Sequence, residues 1–235
     1  MKVAVINRSG NVGKTMISRQ LLAPRLTGAQ VVAIESINSD GTTEDALRGD
    51  QFLLLQKILG AADDDDDVVV DVGASNVELV TLAMRKFSGS HEDFDFYIVP
   101  TIPDSKQLRD TISTIEELKS IGVPAEKIRV VFNRIGDRDD FTEVYAPVLQ
   151  YHAKSKAFTL RPKAVVHENE LFSLLRARPD ATVKGLIDDT TDYKALIAAT
   201  KDTTRRVDLT GKLAERRLAI GVNAELDVVF KELFA

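Results

Sequence analysis

Six short runs of β-branched and other apolar residues recur along the chain, at Lys2–Asn7, Gln30–Glu35, Asp67–Val72, Phe94–Val99, Lys127–Asn133 and Ala164–Val166. Between them apolar positions repeat at helical spacing, over about 14–27, 43–59, 76–88, 104–121, 138–152 and 168–177. Strands alternating with amphipathic helices predict an α/β fold, a mostly parallel twisted sheet flanked by helices. Pro100, Pro103 and Pro124 punctuate predicted strand ends, and Pro179 stands where a helix would stop. From about residue 180 the strand signal ends and a helical C-terminal tail is expected, within one domain over 1–235.

The 235 residues, 44% hydrophobic, can bury one full α/β core. The absence of cysteine excludes a disulfide framework and any thiolate metal or redox site. The first apolar stretch, Val3 to Ile6, is too short for a signal peptide, and no stretch reads as membrane-spanning, so a cytoplasmic location is expected. A net charge of −5 argues against a basic nucleic-acid footprint over the whole surface. The acidic tract Asp63 to Asp67 reads as a solvated loop.

The first strand runs directly into Arg8-Ser9-Gly10-Asn11-Val12-Gly13-Lys14-Thr15-Met16. A glycine-bearing turn with Gly-Lys-Thr opening a helix is the pattern of a phosphate-binding loop (P-loop). Successive backbone N–H groups surround a di- or triphosphate, Lys14 reaches the β/γ oxygens, and Thr15 offers a hydroxyl to Mg²⁺. Arg8 holds the place where the general pattern has its first glycine. ATP or ADP with Mg²⁺ is therefore the expected cofactor.

The run Val68-Val69-Val70-Asp71-Val72-Gly73-Ala74 delivers Asp71 to the edge where open α/β sheets bind ligands. A carboxylate there suits a Mg²⁺ shell, or caps the following helix. Glu35 ends the second strand at the same edge, with Asp40 just beyond; each is a candidate for orienting water, or for capping a helix or meeting a partner. Asn133, followed by Arg134, closes a later strand with an amide able to donate and accept toward a purine edge; turn formation would also favour it.

Together these residues resemble the ParA/MinD family of deviant Walker P-loop ATPases over about residues 1–200, and more narrowly the StbB (TraL-type) plasmid-stability proteins. The resemblance implies a P-loop NTPase fold, ATP binding, an ATP-dependent homodimer and a DNA-binding adaptor as partner. Where the family has its signature lysine, which crosses the dimer interface, this chain has Ser9, with Arg8 one place earlier as the candidate cation. Where the family has aspartate-any-aspartate this chain has Glu35 and Ile37, which implies slow hydrolysis. His167, in Val165-Val166-His167-Glu168-Asn169, occupies the position of a proline beside adenine; it also reads as an exposed loop histidine.

Between Lys201 and Arg217 six basic residues (Lys201, Arg205, Arg206, Lys212, Arg216, Arg217) face three acidic ones, a local net of +3. Such a run reads as a solvated helix face or, by the resemblance, a non-specific DNA contact. Val222 to Ala235 is apolar with a net charge of −2, which argues against a membrane-seeking helix and for packing on the domain or a partner. Three functions stay open: a switch ATPase for plasmid stability, partition or positioning; a nucleotide-gated binding module with negligible hydrolysis; and a small-molecule ligase of the dethiobiotin-synthetase type.

Overall fold

All six apolar runs become strands of one parallel sheet in a computed structural model that describes residues 1–34, 49–62, 66–178 and 180–235. The strands β1 (Lys2–Val5), β2 (Gln30–Ile34), β3 (Val68–Val72), β4 (Phe96–Thr101), β5 (Ile128–Ile135) and β6 (Val165–His167) lie in the order β2-β3-β1-β4-β5-β6. Every neighbouring pair is parallel. The chain leaves β1 toward the β3 side and later leaves β3 for β4 on the other side. The carboxyl end of β1 is thus the switch point, where open sheets present a ligand crevice.

Helices fill the connections. The helix after β1 begins as α1 (Lys14–Met16), continues as a π-helical stretch (Ile17–Leu22) and closes with a 3₁₀ turn (Ala23–Arg25). It is followed by α2 (Gly49–Ala61), α3 (Val77–Lys86), α4 (Ser105–Ser120), α5 (Phe141–Val144), α6 (Ala146–Ser155), α7 (Glu170–Arg176), α8 (Val183–Asp188), α9 (Tyr193–Ala199) and α10 (Thr203–Phe234). The predicted helix over 138–152 is divided at Tyr145, where the backbone leaves helical geometry and Pro147 opens the next helix.

Contacts divide the chain into two compact units, Met1–Glu168 with Val229–Ala235, and Asn169–Val228. In the first, β3 is buried along its whole length, as a central parallel strand must be. One face of the sheet carries Ala4, Val70 and Val130 against Phe52 of α2, Val80 of α3 and Ile115 of α4. The last turn of α10 also belongs here. Leu233 is buried, Phe234 meets Phe96 edge-on at 5.1 Å, and Arg129 lies over Phe96 while donating from Nε to the Leu233 carbonyl at 3.1 Å. The apolar C-terminal end therefore packs on protein.

In the second unit Tyr193, Leu209 and Leu213 form one small apolar cluster, and Leu171, Leu175, Val183, Ala219, Val222 and Leu226 are buried as well. Its helices are tied by polar contacts: Arg216 Nη1 donates to the carbonyls of Asp189 and Thr191 at 2.8 Å each, and its guanidinium lies 5.0 Å from the Tyr193 ring centre. Hydrogen bonds from the Thr191 and Tyr193 hydroxyls hold the Asp189 carboxyl down at about 2.

Two strand boundaries differ from expectation for a physical reason. β4 runs through Pro100, a predicted strand end, because a proline there breaks no ladder. The Ile98 carbonyl accepts from Ile6 N, so Pro100, two residues on, faces the same side, where β1 has already ended. β5 runs past Asn133 to Ile135 across an irregularity at Arg134, whose φ of 59° is left-handed.

Candidate functional site

The loop between β1 and α1 is built to turn sharply. Asn11 (φ 60°) and Gly13 (φ 94°) are both left-handed, and left-handed residues at alternate positions bring backbone N–H groups to one side in an anion-binding concavity. Gly13 is required twice over. Its φ suits only glycine well, and a Cβ there would lie 2.3 Å from Asn133 Nδ2. Gly10 is exposed and meets nothing within 4 Å.

Asn7 bolts this loop to the sheet. Fully buried at the end of the first apolar run, it donates from Nδ2 to the Pro100 carbonyl (2.8 Å) and to Thr111 Oγ1 (2.9 Å), and its Oδ1 accepts from Ser9 N (2.8 Å). The Thr111 hydroxyl is 2.8 Å from that of Thr101, and Arg8 N donates to Thr114 Oγ1 at 3.2 Å. Both α4 threonines also bond to backbone carbonyls of their own helix, so α4 offers the loop fixed hydroxyls. Sequence reasoning missed these residues. Their signal was a polar Asn in an apolar run and two threonines, three apart, on the apolar face of a helix.

The Lys14 ammonium is buried and donates to the carbonyls of Asn7 (2.9 Å) and Ser9 (2.8 Å). Burial pushes it down to about 8, against the opposing pull of Asp71. Asp71 is buried on β3 opposite Val5 of β1 and Ala33 of β2. Just beyond it, Gly73 N and Asn76 Nδ2 both donate to the Ile34 carbonyl at the end of β2. Thr15 is exposed at the start of α1, and Met16 is half-buried.

On the other flank, Asn133 is buried beneath the loop and its Nδ2 donates to the Val12 carbonyl at 2.9 Å. Its Oδ1 is buried and makes no hydrogen bond among the described residues. The Tyr145 hydroxyl donates to the Asn133 carbonyl at 2.7 Å, and the Tyr145 ring packs edge-on against Phe132 at 4.8 Å. A base edge was expected for the Asn133 amide; in this state its N–H serves the loop and only its oxygen is open. His167 is exposed on β6, where it pairs in register with Ile135, so it and Arg134 share one end of the β5–β6 pair.

Arg8 is exposed beside α4. Burial would raise the Asp110 carboxyl, but the bond from Lys106 Nζ at 2.9 Å, with Lys106 and Arg8 as neighbouring charges, holds it below its usual range. Glu35, Ile37 and Asp40 lie outside the described residues. Among the described residues no group of three or more His, Cys, Asp or Glu is placed to hold a metal. At the helix end of the loop Thr15 offers a hydroxyl, and Asp71, within electrostatic reach of Lys14, offers a carboxylate. Those hard oxygens suit Mg²⁺ only when phosphate oxygens complete its shell.

Five residues of the expected basic patch, Lys201, Arg205, Arg206, Lys212 and Arg217, are exposed; Arg206 also donates to the Thr200 carbonyl at 2.7 Å, Lys212 pairs with Asp208 at 3.0 Å, and Arg216 is half-buried and engaged as above. No helix among the described residues is long and apolar enough to cross a membrane.

Among solved structures the chain is similar in fold to apo McdA of Cyanothece, with a TM-score of 0.53 at 13% identity over 94% of this chain and 99% of that one. It is also similar to the MinD cell division protein of Aquifex aeolicus, at 0.52 and 14% identity over 81% and 90%. A third similar structure is the ParA of pNOB8, at 0.50 and 10% identity over 98% of each chain. The sheet and its flanking helices are thus a P-loop NTPase fold of the MinD/ParA type. No protein-family model and no curated protein sequence matches the chain.

Proposed function

We propose that the protein is an ATP-binding switch ATPase of the StbB (TraL-type) kind, serving plasmid stability, partition or positioning with a DNA-binding adaptor. The observation that carries this reading is the buried Lys14 ammonium at the switch point of the sheet. It is held by carbonyls of a left-handed loop and sits within electrostatic reach of Asp71. The fold shared with MinD, McdA and ParA supports the same reading.

In this reading the N–H groups of Gly10 to Thr15 and the Lys14 ammonium bind the phosphates, exchanging the Asn7 and Ser9 carbonyls for phosphate oxygens. Thr15 and Asp71 would hold Mg²⁺, which when bound neutralises phosphate charge. Asn133 positions the loop through Val12 and offers its free amide oxygen toward the base, with Arg134 and His167 at that edge. Glu35 and Asp40 are the candidates for water activation. Arg8 supplies the cation that reaches the partner's nucleotide, so that ATP favours a dimer and ADP does not. Lys201, Arg205, Arg206, Lys212 and Arg217, all exposed, would make the non-specific DNA contact, with Arg216 held beneath them.

The second reading, a nucleotide-gated binding module with negligible hydrolysis, is favoured by Ile37 in the place of an acid. Calorimetry with ATP and ADP, and turnover with and without DNA, separate the two. Binding without turnover selects the module, and absence of binding in the folded chain removes both. Light scattering tests the dimer: an ATP-bound chain that stays monomeric at high concentration removes the role of Arg8.

A further inference from the structure

Among the described residues nothing covers one face of α10. Along it stand Val207, Gly211, Ala214, Leu218, Gly221, Ala224 and Val228, all exposed, with Val207 at 68%, Leu218 at 37% and Val228 at 55%. A Cβ added at Gly211 or Gly221 would meet nothing within 4 Å. The spacing of three, four and seven residues keeps these positions within one stripe of a helix. At 1.5 Å per residue the stripe is about 30 Å long.

The stripe is nearly symmetric about the point between Arg217 and Leu218. Reflected there, Val207 exchanges with Val228, Gly211 with Ala224, and Ala214 with Gly221. That is the property an isologous two-fold contact needs, because the same patch must meet itself running the other way. The end valines then cover each other, the small residues allow close approach between them, and the two Leu218 side chains fill the centre. Charge selects the same direction. Residues 201–217 carry a net of +3 and residues 222–235 a net of −2. Antiparallel pairing sets the basic half of each helix beside the acidic half of the other, whereas parallel pairing sets like beside like.

We infer that the exposed stripe of α10 is a self-association surface, occupied by the α10 of a second copy in antiparallel orientation and formed without nucleotide. One feature of the pairing is repulsive. Arg217 flanks the two-fold, so the two Arg217 guanidinium groups approach each other. A single helix pair of this length buries on the order of 1,000 Å², the lower bound for a specific interface, so association in the micromolar range is expected.

The test uses the full chain without nucleotide, by sedimentation equilibrium across the micromolar range. The wild type dimerises, Leu218→Glu weakens the dimer at least tenfold while melting like the wild type at concentrations too low for dimer to form, and Arg217→Ala tightens it. The same dimer forms in Lys14→Ala, which separates it from any ATP-driven dimer. Because the chain has no cysteine, direction is read by cross-linking. Val207→Cys chains mixed with Val228→Cys chains form the mixed disulfide under mild oxidation, and neither forms its own. A monomer throughout the range, or Val207→Cys linking to itself, overturns the inference.

Discussion

The two units of this chain hold themselves together by different means. In the first, buried polar groups are wired across the molecule. Asn7 joins the loop to β4 and α4, Lys14 is caged by loop carbonyls, and Asn133 reaches from β5 to Val12, all behind a sheet core. In the second, apolar side chains from three short helices and from α10 supply the buried residues, and the polar contacts lie at or near the surface. Buried hydrogen bonds specify position because leaving one unmade costs far more than making it returns. The first unit can therefore fix the position of a chemical site through bonds from several elements. The second is built to present helix faces.

The sharpest way to break that contrast is Lys14→Ala. If the ammonium is what the cage exists to position, ATP affinity falls by at least about 100-fold, the loss of roughly 2.7 kcal/mol in charge-assisted hydrogen bonds. Calorimetry on the folded variant decides it, and unchanged affinity would make Lys14 a structural residue only. Acidity sharpens the same point. A lysine held near 8 loses its proton as pH rises from about 8 toward 10, so ATP affinity should weaken over that window in the wild type and not in Lys14→Ala. Folding stability of the nucleotide-free chain moves the other way. The unfolded lysine keeps its proton up to about 10.5, so from this residue stability rises between pH 8 and 10.5 as the buried charge is discharged.

Gly13→Ala tests whether the loop is held from β5. The new methyl would stand on Asn133 Nδ2 in a left-handed backbone, and a destabilisation of about 1–3 kcal/mol is expected, with nucleotide binding lost as well. Gly10→Ala, in open space, should change thermal stability by less than about 0.5 kcal/mol. Equal melting temperatures for the two variants would show that the link between Asn133 and the loop carries no strain.

In the second unit the comparison is between two arginines that sequence treats alike. Arg216→Ala removes two hydrogen bonds to carbonyls and a ring contact, and should cost about 1–2 kcal/mol in a chemical melt. Arg205→Ala, exposed, should cost less than about 0.5 kcal/mol. For DNA binding the order reverses. If the patch contacts phosphates, Arg205→Ala lowers the salt dependence of binding by about one unit and Arg216→Ala leaves it unchanged.

Much of the sharp turn between β1 and α1 was legible because its determinants are contiguous: nine residues contain the left-handed positions, the glycines and the lysine. The sheet was legible for a related reason, since central parallel strands are uniformly apolar and need no knowledge of their neighbours. What sequence did not disclose are bonds between residues far apart in the chain. Asn133 and Val12 are 121 positions apart, and Asn7 and Thr111 are 104 apart. Nothing local distinguishes an amide aimed at a base from one aimed at a carbonyl. The same holds for Arg216, which reads as one more charge in a basic run until the turn at Asp189 and Thr191 is folded beneath it.

The smallest expected effect belongs to Tyr145→Phe, which asks how far the wiring of the first unit extends behind the site. The hydroxyl donates to the Asn133 carbonyl in a fully buried setting, and the ring is fixed by Phe132 and Phe141, so phenylalanine keeps the packing and deletes one bond. Stability should fall by about 1 kcal/mol, the net worth of a buried hydrogen bond, with the orphaned carbonyl contributing part of the loss. If Tyr145 only fills space, ATP affinity is unchanged in the variant. If it holds Asn133 under the loop, affinity falls by about two- to fivefold, and the loss is the same for ATP and ADP because Val12 precedes the phosphates of both. A loss confined to ATP would mean that Asn133 reads the nucleotide state, which the position of Asp71 on the opposite side of the loop argues against.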